Sequence, residues 1–184
     1  MSDRQRGALL AVAGLAIMAL GAAAALLPAA NGLPGSTVIG VALIAAGIIE
    51  TLAGSLRREV RPYAMAAGSV TALAGLLFIL SATTHFFPTV TLIIVWLVLR
   101  SLILAYASRH TGGGVRTWMS ISAGMDFLLA VLLVAGLSIA TIVVSLFGPT
   151  PPLIATFAWV LAASFVVNGT LLLEVASCER EGAD

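Results

Sequence analysis

The chain has no lysine, since all nine of its basic residues are Arg. Retinal or other Schiff-base chemistry, which needs a lysine amine, is thereby excluded. Its one cysteine, Cys178, has no partner for an intrachain disulfide or a CxxC pair. That thiol reads either as a small residue near a helix end or as an intersubunit or modified group. Charge is scarce as well, at 9% of residues, where soluble domains carry about 25%. In its place, 60% of the 184 residues are hydrophobic and mean hydropathy is +1.12. A water-soluble fold is excluded, and six helices of about 20 residues would leave loops too short for any separate soluble domain.

Flanking charges, prolines and glycine clusters divide the sequence into six apolar spans, approximately 7–27, 36–56, 62–82, 88–108, 115–137 and 152–177. They predict one all-α, polytopic membrane domain covering 1–184. The first span is expected to stop at Pro28. Segment 138–147 is also apolar, so the fifth helix continues, tilts or hands over to a partly embedded segment. The N-terminal run is too long for a secretory h-region of about 7–15 residues and reads as a span.

Arginine sets the expected orientation, because positive residues in short loops stay cytoplasmic. Arg4 and Arg6, then Arg57, Arg58 and Arg61, then Arg109 and Arg116, and finally Arg180 fall at the termini and in every second loop, all on one side of the six spans. Both termini are therefore expected on the cytoplasmic side of the membrane. Tyr63, Tyr106 and Trp118 fall at the cytoplasmic helix ends and Phe86 and Phe87 at the opposite ends, as interfacial aromatics do. The spans form three consecutive hairpins, each turning through prolines and returning to an Arg-bearing end.

Glycine recurs every seven residues at Gly7, Gly14 and Gly21, at Gly40, Gly47 and Gly54, and at Gly68 and Gly75. Small residues on one face allow close backbone approach, and a seven-residue period favours left-handed crossing. The first three helices are therefore expected to pack together. The same seam is open to an alternative reading as a sliding or oligomerising surface, which makes a homo-oligomer a candidate assembly beside the lipid bilayer.

Three charges interrupt the apolar spans. At about 1.5 Å rise per residue, Glu50, Arg100 and Asp126 lie roughly 10, 12 and 15 Å inside the cytoplasmic ends of the second, fourth and fifth helices. Charges at such depth should face the bundle interior and find partners. Arg100 with Asp126 is the natural pair, and Glu50 either shares Arg100 or is protonated. The cluster reads as a device that fixes helix register, as a proton relay between coupled carboxylates, or as a substrate site. Trp96, one turn before Arg100, either fills core space or makes a cation–π contact.

His85 is either a solvated loop histidine or an external pH sensor, and His110 reads as a solvated loop histidine on the other side. Asn168 is expected to make an interhelical hydrogen bond. Glu174 lies within reach of headgroup water or Arg180. The sequence holds no HExxH, GxSxG, P-loop or GxGxxG. It is therefore not read as an enzyme, and no metal, cofactor, nucleotide or nucleic acid is expected.

The residues Gly47-Ile48-Ile49-Glu50 before an Arg-rich turn, Arg100 late in the fourth helix, and Arg116, Trp118, Gly124 and Asp126 entering the fifth carry a resemblance. With six short-looped helices, the chain resembles, over nearly its whole length, the acid-resistance membrane protein family typified by HdeD, the DUF308 repeat family. The resemblance implies an inner-membrane protein with a role in acid or general stress tolerance and no enzymatic activity. The expected function is that of a helix-packing or interaction protein, with a small oligomeric transporter or proton-conducting channel as the alternative.

Overall fold

The computed structural model describes residues 3–31, 35–57, 60–81, 86–147 and 151–181, with side-chain surroundings over 4–26, 37–57, 60–80, 91–135 and 160–177. Six helices follow in order: α1 (Asp3–Asn31), α2 (Gly35–Ser55), α3 (Arg61–Ser81), α4 (Phe86–Ser108), α5 (Gly113–Phe147) and α6 (Pro151–Glu181). Each contains a stretch long and apolar enough to cross a membrane. Among the described residues there is no strand. The protein is an all-α, multi-pass membrane protein. Large apolar side chains such as Leu15, Leu52, Leu80 and Leu102 point outward, where they meet lipid rather than water.

Helix ends follow local chemistry. Pro151 and Pro152 open α6, where a missing N–H costs nothing. Pro88 likewise falls in the first turn of α4, so that helix starts at Phe86. At the end of α4, Ser108 Oγ donates to the Ala105 carbonyl at 2.8 Å and Thr111 Oγ1 to the Ser108 carbonyl at 3.2 Å. These hydroxyls satisfy carbonyls that the helix leaves free. Gly113 then takes φ 59°, a left-handed conformation that suits glycine, and α5 begins.

One boundary differs from the sequence expectation, and a second follows one of the alternatives left open there. α1 runs through Pro28 to Asn31. A proline in the last turns of a membrane helix removes one hydrogen bond without ending the helix. α5 continues through 138–147 as one helix of 35 residues, about 52 Å at 1.5 Å per residue, longer than the roughly 30 Å hydrocarbon core.

The six helices close into a ring in which each packs against its sequence neighbours and α1 meets α6. The most extensive contacts are α2 with α3, α1 with α6, and α4 with α5. Glycine explains the first two. A Cβ on Gly54 would lie 2.8 Å from the Ala64 carbonyl carbon, and one on Gly75 would lie 2.7 Å from the Ile44 nitrogen. Gly40 faces Ile79, Gly47 faces Ala72 and Gly68 faces Thr51 along the same antiparallel seam. Among the first three helices, α2 and α3 thus pack as closely as the spacing predicts. α1 does not join them through Gly14 and Gly21. Gly14 faces the Gly169 carbonyl, at 2.7 Å from a built Cβ, and Gly21 faces Phe165 at 2.8 Å. Helices that are apolar all round carry no sided signal to choose a partner, so the seven-residue spacing marks a contact face without saying which helix fills it.

Candidate functional site: a buried charge network across five helices

The site is assembled from the α2/α3 seam inward. Because Gly68 lies against the backbone of Glu50 and Thr51, α3 brings Thr71, one turn further on, beside the Glu50 carboxylate. Thr71 Oγ1 shares its proton between the Ala67 carbonyl at 3.0 Å and Glu50 Oε2 at 3.5 Å. It accepts from Trp96 Nε1 at 3.1 Å. Trp96 and Arg100 are four residues apart on α4, hence on one face, and the guanidinium carbon lies 5.9 Å from the Trp96 ring centroid, within cation–π range.

Arg100 is the hub. Its Nη1 donates to Asp126 Oδ2 at 2.6 Å and its Nη2 to Glu50 Oε1 at 3.2 Å. Nη1 also reaches Ser164 Oγ at 3.3 Å, and that hydroxyl donates to Asp126 Oδ1 at 2.6 Å. Arg100 and Asp126 are each 1% exposed and Glu50 is 6% exposed. The three charges that depth alone brought to one level therefore meet, with Arg100 shared between both carboxylates. Ion pairs in a low-dielectric interior hold only when their remaining hydrogen-bonding groups are also satisfied. Ser164, Thr71 and Trp96 supply most of that second set of contacts, Arg100 Nε being left without a hydrogen-bond partner among the described residues, and the network joins α2, α3, α4, α5 and α6.

Ser164 and Thr71 were not singled out in the sequence, because isolated hydroxyls are common in membrane helices. Thr71 carries a signal in retrospect, standing three residues after Gly68 on the seam side. Ser164 stands one turn from Asn168, which is also buried. Arg57 is the larger surprise. It reads as a loop residue that orients the chain, yet it is 6% exposed at the end of α2. Burial pushes its guanidinium below the ordinary value, opposed by the negative charge of Glu50. One guanidinium against two carboxylates leaves the network formally one positive charge short, and Arg57 is the next cation along α2.

Away from the network, His110 is exposed but not isolated. Its ring lies 5.7 Å from that of Tyr63 and 4.8 Å from that of Tyr106, and the two tyrosines are 5.4 Å apart. These rings form an aromatic patch at the Arg-rich end. His85 lies outside the described residues, and the side chain of Cys178 does too. Among the described residues no three His, Cys, Asp or Glu side chains converge on a metal-sized site. An open groove of about 510 Å³ on the outer face of α2 and α3 is lined by Ile44, Ile48, Leu52, Leu73 and Leu76 together with Thr51. It is apolar and faces lipid.

Comparison with protein-family models, with curated proteins and with solved structures finds no match to this chain.

Proposed function

We propose that the chain is an HdeD-like protein of a bacterial inner membrane, with both termini cytoplasmic, that contributes to acid or general stress tolerance without catalysis. In this reading it acts as a helix-packing and interaction protein. The observation that carries it is the buried Glu50–Arg100–Asp126 network, whose carboxylates are held by Arg100, Ser164 and Thr71 of the same chain. A group so fully engaged favours the fixing of helix register, the best-attested use of buried ion pairs. Its position suits a protein that endures external acid. The buried apolar side chains Leu43, Phe78, Ile93, Leu133 and Leu161 separate the carboxylates from the face opposite the arginines, the periplasmic face in this topology. The link to acid tolerance itself rests on the sequence resemblance.

The test combines acid survival with transport. A strain lacking the protein should survive acid poorly and be rescued by wild type, while purified protein in liposomes should show proton flux no greater than empty liposomes at acidic or neutral external pH. Wild-type flux that Asp126→Asn removes from a folded protein would replace this reading with that of a proton-conducting channel. Equal acid survival with and without the protein would remove the stress role.

A further inference from the structure

The groove on the lipid face of α2 and α3 has a volume of about 510 Å³, within the roughly 300–1,000 Å³ of sites that hold small molecules. Glycine creates it. Gly47 lies against the Ala72 backbone and Gly68 against Thr51, so the two helices touch behind the groove. Ile48 and Leu52 on α2 and Leu73 and Leu76 on α3 stand out on either side as exposed walls. Thr51 Oγ1 between them already donates to the Gly47 carbonyl at 2.7 Å, so that hydroxyl needs nothing from an occupant.

The depth of the groove says what fits. On α2 it is bounded by Ile44 and Leu52, eight residues apart and hence about 12 Å in rise. One leaflet's share of the roughly 30 Å hydrocarbon core is about 15 Å. Ile44 stands at the middle of α2 and Leu52 one turn from its Arg-rich end, so the groove lies within a single leaflet and stops near the bilayer centre. A helix of a second copy would cross both leaflets and overrun it. A lipid acyl chain entering from the Arg-rich side matches it.

Charge at the mouth of the groove selects among lipids. All tails are equally apolar, so packing alone does not choose one, whereas cations at the surface attract anionic headgroups. The turn that joins α2 to α3 reads Arg57-Arg58-Glu59-Val60-Arg61, three arginines against one glutamate. Arg61 opens α3 and is exposed. Arg61, Met65, Ser69 and Leu73 follow at intervals of four, and Ser69 and Leu73 line the groove. Arg61 therefore stands at the surface end of the same helix row.

We propose that this groove is a binding site for one anionic phospholipid of the Arg-rich leaflet, with an acyl chain between α2 and α3 and the phosphate at Arg61. The site goes beyond the stress-tolerance reading and does not depend on it.

Native mass spectrometry of the full chain tests it. Protein stripped of bulk lipid in detergent is given equal amounts of phosphatidylglycerol and phosphatidylcholine with identical acyl chains. Wild type should retain one lipid and favour phosphatidylglycerol about fivefold, the effect of one arginine near an anionic headgroup. Arg61→Gln should bring the two lipids toward equality. Ser69→Phe, which fills the groove from an exposed position, should lose the retained lipid while unfolding at the wild-type temperature. If Ser69→Phe does not fold, Ile48→Trp fills the groove from the opposite wall. Equal retention of both lipids by wild type would overturn the proposal, as would unchanged retention in the filled variant. A wild-type dimer that the filled variant dissolves would also overturn it, by assigning the groove to a second copy. Because the readout involves neither survival nor flux, its failure is separable from failure of the proposed function.

Discussion

α2 and α3 meet at their backbones, whereas α4 and α5 meet through an ion pair. Along the first seam, glycines leave no room for a Cβ, and the contact is built from many weak dispersion terms. Along the second, Arg100 binds Asp126 and Ser101 Oγ donates to the Ala123 carbonyl at 2.9 Å. Gly124 on α5 faces open space, with nothing within 4 Å of a built Cβ. Lipid tails remove the hydrophobic drive between helices, so packing and polar contacts have to hold them together. This bundle uses the two in different places. Backbone contact holds helices close in a way that depends on shape, while the ion pair specifies register and leaves a stranded charge when one partner is lost.

That contrast is most sharply broken at the hub. Arg100→Leu leaves two carboxylates buried without their cation and should cost about 3–5 kcal/mol, read as a loss of monodisperse protein and of resistance to unfolding in mixed micelles. Adding Glu50→Gln and Asp126→Asn should recover most of that loss. If it does not, Arg100 acts through packing rather than charge. Next in size is Gly47→Ala, which sets a methyl against the Ala72 backbone and should cost about 1–3 kcal/mol, as overpacking does. Gly14→Ala should cost a similar amount through the α1/α6 contact, and a neutral result there would argue against the pairing of those helices.

Smaller effects sharpen the comparison. Ser164→Ala removes one hydrogen bond to Asp126 and should cost about 0.6–2 kcal/mol, the range for polar contacts between membrane helices. Thermal unfolding beside the wild type measures it. The smallest change is expected at Gly124→Ala, which fills open space and gains helix propensity of up to about 1 kcal/mol. A clear destabilisation there would mean that Gly124 is packed against a neighbour rather than facing open space.

Much of this arrangement was legible before the structure. Long apolar runs bounded by Arg, Pro and Gly specify the six helices, because a bilayer leaves little other choice for such segments. The depth of Glu50, Arg100 and Asp126 follows from helix rise alone, and the cost of intramembrane charge brings them together. What escaped the sequence was partner choice. Gly14 and Gly21 announce a close contact but not that α6 fills it, and Gly169 has no seven-residue companion to draw notice. Arg57 escaped for another reason. A charge beside a helix end is ordinarily solvated, and only the three-dimensional closure of the helices places it indoors. Pro28 misled because a proline in the last turns of a membrane helix frees only one carbonyl, which neighbouring helices, hydroxyls or water can satisfy, so the helix need not stop there.

The contact between α1 and α6 has a consequence for biosynthesis. The ribosome delivers α1 first and α6 last, so the glycine face of α1 stays uncovered in the bilayer while the other four helices are inserted. Closure of the ring therefore waits for α6, and translational arrest before that point leaves an open ring with the Gly14 and Gly21 face turned toward lipid.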